Sequence, residues 1–373
     1  MEALILSCGT GGGHDSAAKA VAEELTRRGS SATVLNLFTL ENERTAELVN
    51  ELYIQVVQAA PKLFGAAYKA GEAYRNLQVH SPVYWANGKF ADALRGYLDE
   101  HHFDVIIATH MYPAQTLTNL KRQGVSIPPT VLVATDYTCI PFMEETDCDY
   151  CVIPSPELTG EFCSRGFPVE RLLPYGIPVR EAFSVNVTKS EARRRLGLEQ
   201  DSQYILLAGG SMGAGSIVDA VKAVEGIIQM RPECRLLVLC GTNRRLFSTL
   251  ERQCAGSEQI ELIGFTDKMP DYMRACDLFI TKPGGLSSTE AAVCGVPLIH
   301  ISPIPGCETR NAQFFSSRGM SILATEPKRD LSSALEKMSA SCLPEQMVMA
   351  QKCFVSDNAA AKLCDCLEQI CQK

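Results

Sequence analysis

No run of this 373-residue chain approaches the ~20 consecutive apolar residues that crossing a bilayer requires. Any membrane role is therefore expected to be peripheral. A basic excess is also lacking. Lys and Arg number 35 against 43 Asp and Glu, a net charge of −8, which excludes a general nucleic-acid binder because phosphate neutralisation needs a basic footprint. The start of the chain has no basic n-region. Met1-Glu2-Ala3-Leu4-Ile5-Leu6 runs almost at once into Ser7 and a glycine loop, so a first strand is expected rather than a secretory signal. Zinc-type cysteine pairing is missing as well. Of sixteen cysteines only Cys148 and Cys151 form a CxxC, and Cys364, Cys366 and Cys371 have the wrong spacing. With no export signal these residues are expected to be reduced thiols packed as small hydrophobes.

What the chain does have is the composition of a globular enzyme, 46% hydrophobic and 21% charged. Its length implies about two domains. Short apolar runs alternate with glycine or proline turns and amphipathic helical stretches. Strands are expected at 3–7, 33–37, 105–109, 130–135 and 150–154, then at 204–208, 235–240, 260–263, 278–281 and 297–301. Their uninterrupted apolar character points to parallel sheets covered by helices on both faces. The turn-rich stretch "LPYGIPVREAFSVN", 173–186, is the expected linker. The expected fold is α/β, with two doubly wound Rossmann-like domains facing across a cleft. The boundaries are 1–180 and 181–355, with a helix in 356–373 that crosses back to the first domain. "CDYCVIPSPE" at 148–157 and "CDLFITKPGG" at 276–285 echo each other between the halves. Asp147 and Asp149 are accordingly read as aspartates at a strand start, not as metal ligands.

Three glycine loops stand between a strand and a helix: "GTGGGH" at 9–14, "AGGSMGAGS" at 208–216 and "TKPGGLSSTE" at 281–290. Glycine there lets an anion approach the free N–H groups and positive dipole end of the helix. A Walker loop is excluded, because His14-Asp15 stands where Gly-Lys is needed. A dinucleotide loop is excluded too, because His14 replaces the third glycine and the second strand ends without a carboxylate. Ser287 and Glu290 fit the S-x-x-E capping box, and Glu290 at such a helix start could equally reach a ribose.

"LILSCGTGGGH", "VLVATDYT", "DYCVIPSPE", "GGSMGAG", "ITKPGGLSSTEAAVCGVPLI" and "PIPGCETRNAQFF" follow one another along nearly the whole chain. Together they resemble the monogalactosyldiacylglycerol synthase and processive diacylglycerol glucosyltransferase family, and more distantly the N-acetylglucosaminyltransferase of peptidoglycan synthesis. The resemblance implies a GT-B glycosyltransferase of family 28. Its N-terminal domain would take the acceptor and its C-terminal domain the UDP-sugar, with inversion and no cofactor or metal. Carried over by position, Ser211, Met212 and Gly213 meet the diphosphate and Glu290 binds ribose hydroxyls. Phe265 lies where the uracil is held, Gly284, Gly285, Leu286 and Ser287 open a helix near the diphosphate, and Glu308 and Asn311 face the sugar and diphosphate. Gly12 and Gly13 face the donor from the first domain. Cys307 stands where the family often has Gln, and Asp15 where plant members carry Arg.

An acceptor hydroxyl must lose a proton as it attacks, so a base is needed. His14 is suited to this near neutral pH. Asp136 would orient it or act as base, and His110 is a further candidate on the acceptor side. Between Lys62 and Arg95 five basic residues stand against two acidic ones, and seven aromatics, including the single tryptophan, fall between Pro61 and Tyr97. Phe64, Tyr84 and Trp85 there are the expected contacts to a membrane surface. The expected activity is transfer of glucose or galactose from a UDP-sugar to diacylglycerol, by a cytoplasmic protein peripherally bound to the membrane's cytoplasmic face. The alternatives are a UDP-N-acetylglucosamine 2-epimerase and an inactive UDP-sugar-binding module.

Overall fold

The structure is a computed structural model. It describes all residues except 10–11, 43, 45–60, 78, 211–215, 340–341 and 373, and for side chains also excepting 61, 62, 64 and 76. The chain divides into two compact units. One comprises residues 1–181 with 305–307 and 356–373, and the other residues 182–304 with 308–355.

In the first unit a parallel sheet is built from β1 (Glu2–Ser7), β2 (Ser31–Asn36), β3 (Val105–Ala108), β4 (Thr130–Val133), β5 (Tyr150–Val152) and β6 (Leu172–Leu173), in the order β2-β1-β3-β4-β5-β6. The chain reverses its direction of travel across the sheet between β1 and β3, the point at which ligands bind in doubly wound folds. Ala3, Ile5, Val105, Ile107, Val131, Val133 and Val152 form the core with Val21 and Leu25 of the helix Gly12–Arg27. The helix Ala359–Cys371 adds Leu363, Cys364 and Leu367 to the same core. Arg28 fastens it from outside, donating to Asp365 at 2.6 Å and to the Ala361 carbonyl at 3.0 Å.

The second unit repeats the plan with β7 (Gln203–Ala208), β8 (Cys234–Leu239), β9 (Ile260–Ile263), β10 (Leu278–Thr281), β11 (Leu298–Ile301) and β12 (Ile322–Ala324). Their order is β12-β11-β10-β7-β8-β9, all parallel. The reversal falls between β7 and β10.

Four expectations are corrected. Strands β6 and β12 escaped the sequence reading. Strands β2 and β9 are sheet edges and partly exposed, so both-face burial holds only for the inner strands. The echo between the halves marks strand starts, not equivalent places in the topology, since β5 is fifth in its unit and β10 fourth. Asp149 accepts from Thr130 N at 2.7 Å and Lys121 Nζ at 2.9 Å. Asp277 likewise accepts from Tyr204 N at 2.8 Å and Arg193 Nη2 at 2.9 Å. Each therefore ties the start of its own strand to the next. Finally, the helix Gly285–Cys294 has Gly284 as its N-cap and no side-chain cap bond. Ser287 already lies within the first turn, and the expected Ser287–Glu290 capping box is not formed.

All sixteen cysteines are free thiols. Burial raises the Cys148 thiol to about 12 and holds the Cys151 thiol well above its usual value, the behaviour of packed hydrophobes.

Candidate active site

In the first unit β1 ends at Ser7, and Gly9 turns the chain with φ +64°. A Cβ there would strain the backbone at that angle and push aside the Asn36 side-chain amide, 2.7 Å away, so glycine is favoured. The helix Gly12–Arg27 follows and carries half-buried His14 in its first turn. His14 Nδ1 lies 3.0 Å from the Thr109 carbonyl, just past β3, and 2.9 Å from Thr135 Oγ1, just past β4. A carbonyl only accepts, which assigns the proton to Nδ1 and leaves the basic lone pair on Nε2.

Burial lowers the His14 pKa, outweighing the Asp136 charge, the Thr109 hydrogen bond and the Asp15 charge, all of which raise it. The imidazole is therefore neutral at pH 7. Asp15 is itself held by the Ser7 hydroxyl. His110 packs edge-on against His14 with ring centroids 4.4 Å apart. Its Nδ1 accepts from Tyr112 N at 3.1 Å and caps the helix Met111–Arg122. Burial, reinforced by His14, holds its pKa well below the usual histidine value.

In the second unit β7 leads to Gly210, at φ +73°. Ser211, Met212 and Gly213 lie outside the described residues. Thr281 Oγ1, at the end of β10, donates to the Ala208 carbonyl at 2.9 Å, joining β10 to β7 where the order reverses. The N-cap Gly284 has no side chain to cap the helix Gly285–Cys294, so among the described residues its first N–H groups, from Gly285 to Ser287, have no side-chain cap, as at helix starts that take anions. Leu286 and Glu290 are buried in it. Asn311 is also buried and donates to the Pro283 carbonyl at 3.0 Å, fixing the turn before that helix. Glu308 Oε1 meets Lys282 Nζ at 3.0 Å, and its Oε2 accepts from Ile304 N at 2.8 Å. Phe265, following β9, is 74% exposed.

Thr109, Thr135 and Lys282 were missed by the sequence reading. Lys282 carried a signal, an ammonium directly behind a buried strand in "TKPGG". The threonines carried none. Tyr84 is corrected as a membrane contact: it is buried, stacked on His80 at 4.2 Å, and its hydroxyl accepts from Arg122 at 3.1 Å. Its neighbour Trp85 is 63% exposed. The Phe64 side chain is outside the described residues. Among the described residues no group of three or more His, Cys, Asp or Glu is placed to hold a metal ion.

Two doubly wound parallel-sheet units, with glycine loops at the carboxyl ends of β1, β7 and β10, have the GT-B fold. MurG of Acinetobacter baumannii has this fold, with a TM-score of 0.64 over 99% of both chains at 15% identity. So does MnaA of S. aureus, solved with UDP, with a TM-score of 0.66 over 96% of this chain and 94% of that one at 14% identity. Residues 14–179 match the family Monogalactosyldiacylglycerol (MGDG) synthase, and residues 204–363 match the Glycosyltransferase family 28 C-terminal domain. The processive diacylglycerol beta-glucosyltransferase of Bacillus licheniformis is 26% identical over 369 residues, 98% of this chain and 94% of that protein. The chain thus pairs an MGDG synthase-type N-terminal part with a glycosyltransferase family 28 C-terminal domain.

Proposed function

We propose that the protein is an inverting transferase that moves glucose or galactose from a UDP-sugar to the hydroxyl of diacylglycerol. The second unit binds the donor. Main-chain N–H groups at Gly285–Ser287, with the glycine loop at Ser211–Gly213, take up the charge that develops on the departing diphosphate, and no metal is needed for that. Glu290 holds the ribose, Phe265 marks the uracil side, and Glu308 and Asn311 serve the sugar.

The first unit binds the acceptor and supplies the base, with Gly12 and Gly13 leaving room for the donor. The acceptor oxygen attacks the anomeric carbon, its proton passes to His14 Nε2, and the bond from that carbon to the diphosphate oxygen breaks to release UDP. Asp136 stabilises the imidazolium that results, and His110 packs against its ring. The observation that carries this reading is the His14 Nδ1 contact with the Thr109 carbonyl. It puts the proton on Nδ1 and leaves the Nε2 lone pair to take a proton, as a general base requires and a bare binding module does not. The acceptor class is supported by the family and by the name of the Bacillus licheniformis relative.

Among the described residues no helix is long and apolar enough to cross a membrane. Docking is proposed to be peripheral, on the cytoplasmic face, through exposed Trp85, Leu77 and Val79 with the basic residues nearby.

Incubation with radiolabelled UDP-glucose, UDP-galactose or UDP-N-acetylglucosamine, with and without diacylglycerol vesicles, tests the proposal. Labelled glycolipid from a hexose donor is expected. No labelled lipid from any donor would overturn it, and lipid-independent isomerisation of UDP-N-acetylglucosamine would replace it with an epimerase.

A further inference from the structure

The segment after β11 is unusually constrained. Ser302 adopts φ +45°, in the left-handed region that side-chain-bearing residues avoid. Its hydroxyl oxygen is buried with no hydrogen-bond partner among the described residues. Ile304, two residues on, is bound through its N–H to Glu308 Oε2, and Glu308 Oε1 is bound to Lys282. Lys282 is only 7% exposed and stands directly behind β10, the strand that pairs with β11.

A glutamate in the first turn of a helix ordinarily samples several rotamers. Here each carboxylate oxygen is held by a different donor, so the plane of the group is fixed and each oxygen keeps a lone pair for a sugar hydroxyl. The ammonium and the carboxylate cancel, so the pair offers a diphosphate no net charge. What it offers is a carboxylate in one orientation.

We propose that Lys282 is a positioning residue: its ion pair from the end of β10 orients Glu308 and the Ile304 main chain to receive the sugar of the donor nucleotide. This rests on the reading that Glu308 faces that sugar. Glucose and galactose differ in the direction of one hydroxyl, and a fixed acceptor discriminates such a difference better than a mobile one. Lys282 therefore acts on donor choice without touching the donor.

The test is calorimetric titration of the full chain with UDP, UDP-glucose and UDP-galactose, using wild type, Glu308→Gln, Lys282→Met, Lys282→Arg and the double variant Lys282→Met/Glu308→Gln. Lys282→Met is expected to weaken the better sugar nucleotide on the order of tenfold and narrow the glucose-to-galactose ratio, while UDP alone changes less than about twofold. Lys282→Arg should recover most of the loss. If Lys282 acts only through Glu308, the double variant binds like Glu308→Gln within about twofold. That comparison also serves should Lys282→Met, with its unpaired buried carboxylate, fail to fold. A further loss in the double variant, or equal losses for UDP and UDP-sugar, would make Lys282 a direct donor contact and overturn the inference. Unchanged binding in every Lys282 variant would leave the pair purely structural and overturn it too. Wild type that binds UDP but neither sugar nucleotide contradicts the donor reading itself, an outcome distinct from a failing Lys282 comparison.

Discussion

A main-chain carbonyl selects the tautomer of the imidazole beside it, and that selection separates His14 from His300. His300, in β11, is fully buried, with Ser288 Oγ 3.0 Å from Nε2 and Ser321 Oγ 3.1 Å from Nδ1. Both nitrogens are engaged within the unit, and burial pushes its pKa down to about 3. Its folded-state value lies below the unfolded value near 6.5, so the unfolded chain binds the proton more readily. The stability contributed by the neutral ring is complete above about pH 6.5 and is lost as pH falls toward the folded value. Urea midpoints between pH 7 and pH 4 should therefore fall more steeply for wild type than for His300→Asn, and parallel slopes would show that His300 does not titrate in this way. At this scale His14 was legible because it closes a glycine loop. Thr109 and Thr135 were not, because a threonine at a strand end has no chemical signature until the sheet order sets β3 beside β1 and β4 beside β3.

Among the elements, the helix Gly285–Cys294 shows how a local motif can mislead. Ser287-x-x-Glu290 has the spacing of a cap, but the chain turns into the helix at Gly284, whose N–H bonds back to the Lys282 carbonyl at 2.8 Å. Among the described residues the first N–H groups are thus left without a side-chain cap, the condition an anion site needs. The other end was legible: Gly295 terminates the helix at φ +68°, a left-handed cap that glycine adopts without steric cost. The helix Ala359–Cys371 makes a stability prediction. Leu367 is fully buried in the core of the first unit, so Leu367→Ala should cost about 2–5 kcal/mol. Met230→Ala, at an 85% exposed side chain, should stay within about 0.5 kcal/mol. Urea denaturation of both variants checks this, and equal losses would mean that the terminal helix does not support that core.

At the scale of the whole molecule, the apolar runs sufficed for two parallel sheets but not for their strand order. Parallel inner strands all read as uninterrupted apolar segments, so sequence does not distinguish β5 from β10, though one is fifth and the other fourth in its unit. Strands of two and three residues, β6 and β12, are too short to carry any periodicity. Edge strands β2 and β9 look like inner ones until their neighbours are known. The placement of loops was more legible, because a glycine turn between strand and helix occurs in these folds where the chain reverses across the sheet, and the loops after β1, β7 and β10 lie there. His14→Ala separates the proposed base of the first unit from the proposed nucleotide site of the second. The deciding measurement is the rate of labelled glycolipid formation on diacylglycerol vesicles by wild type and His14→Ala, taken with the UDP affinity of each. Transfer is predicted to fall by at least about a hundredfold with UDP affinity within about twofold of wild type; undiminished transfer, or a parallel collapse of UDP binding, would contradict the role of His14 as base.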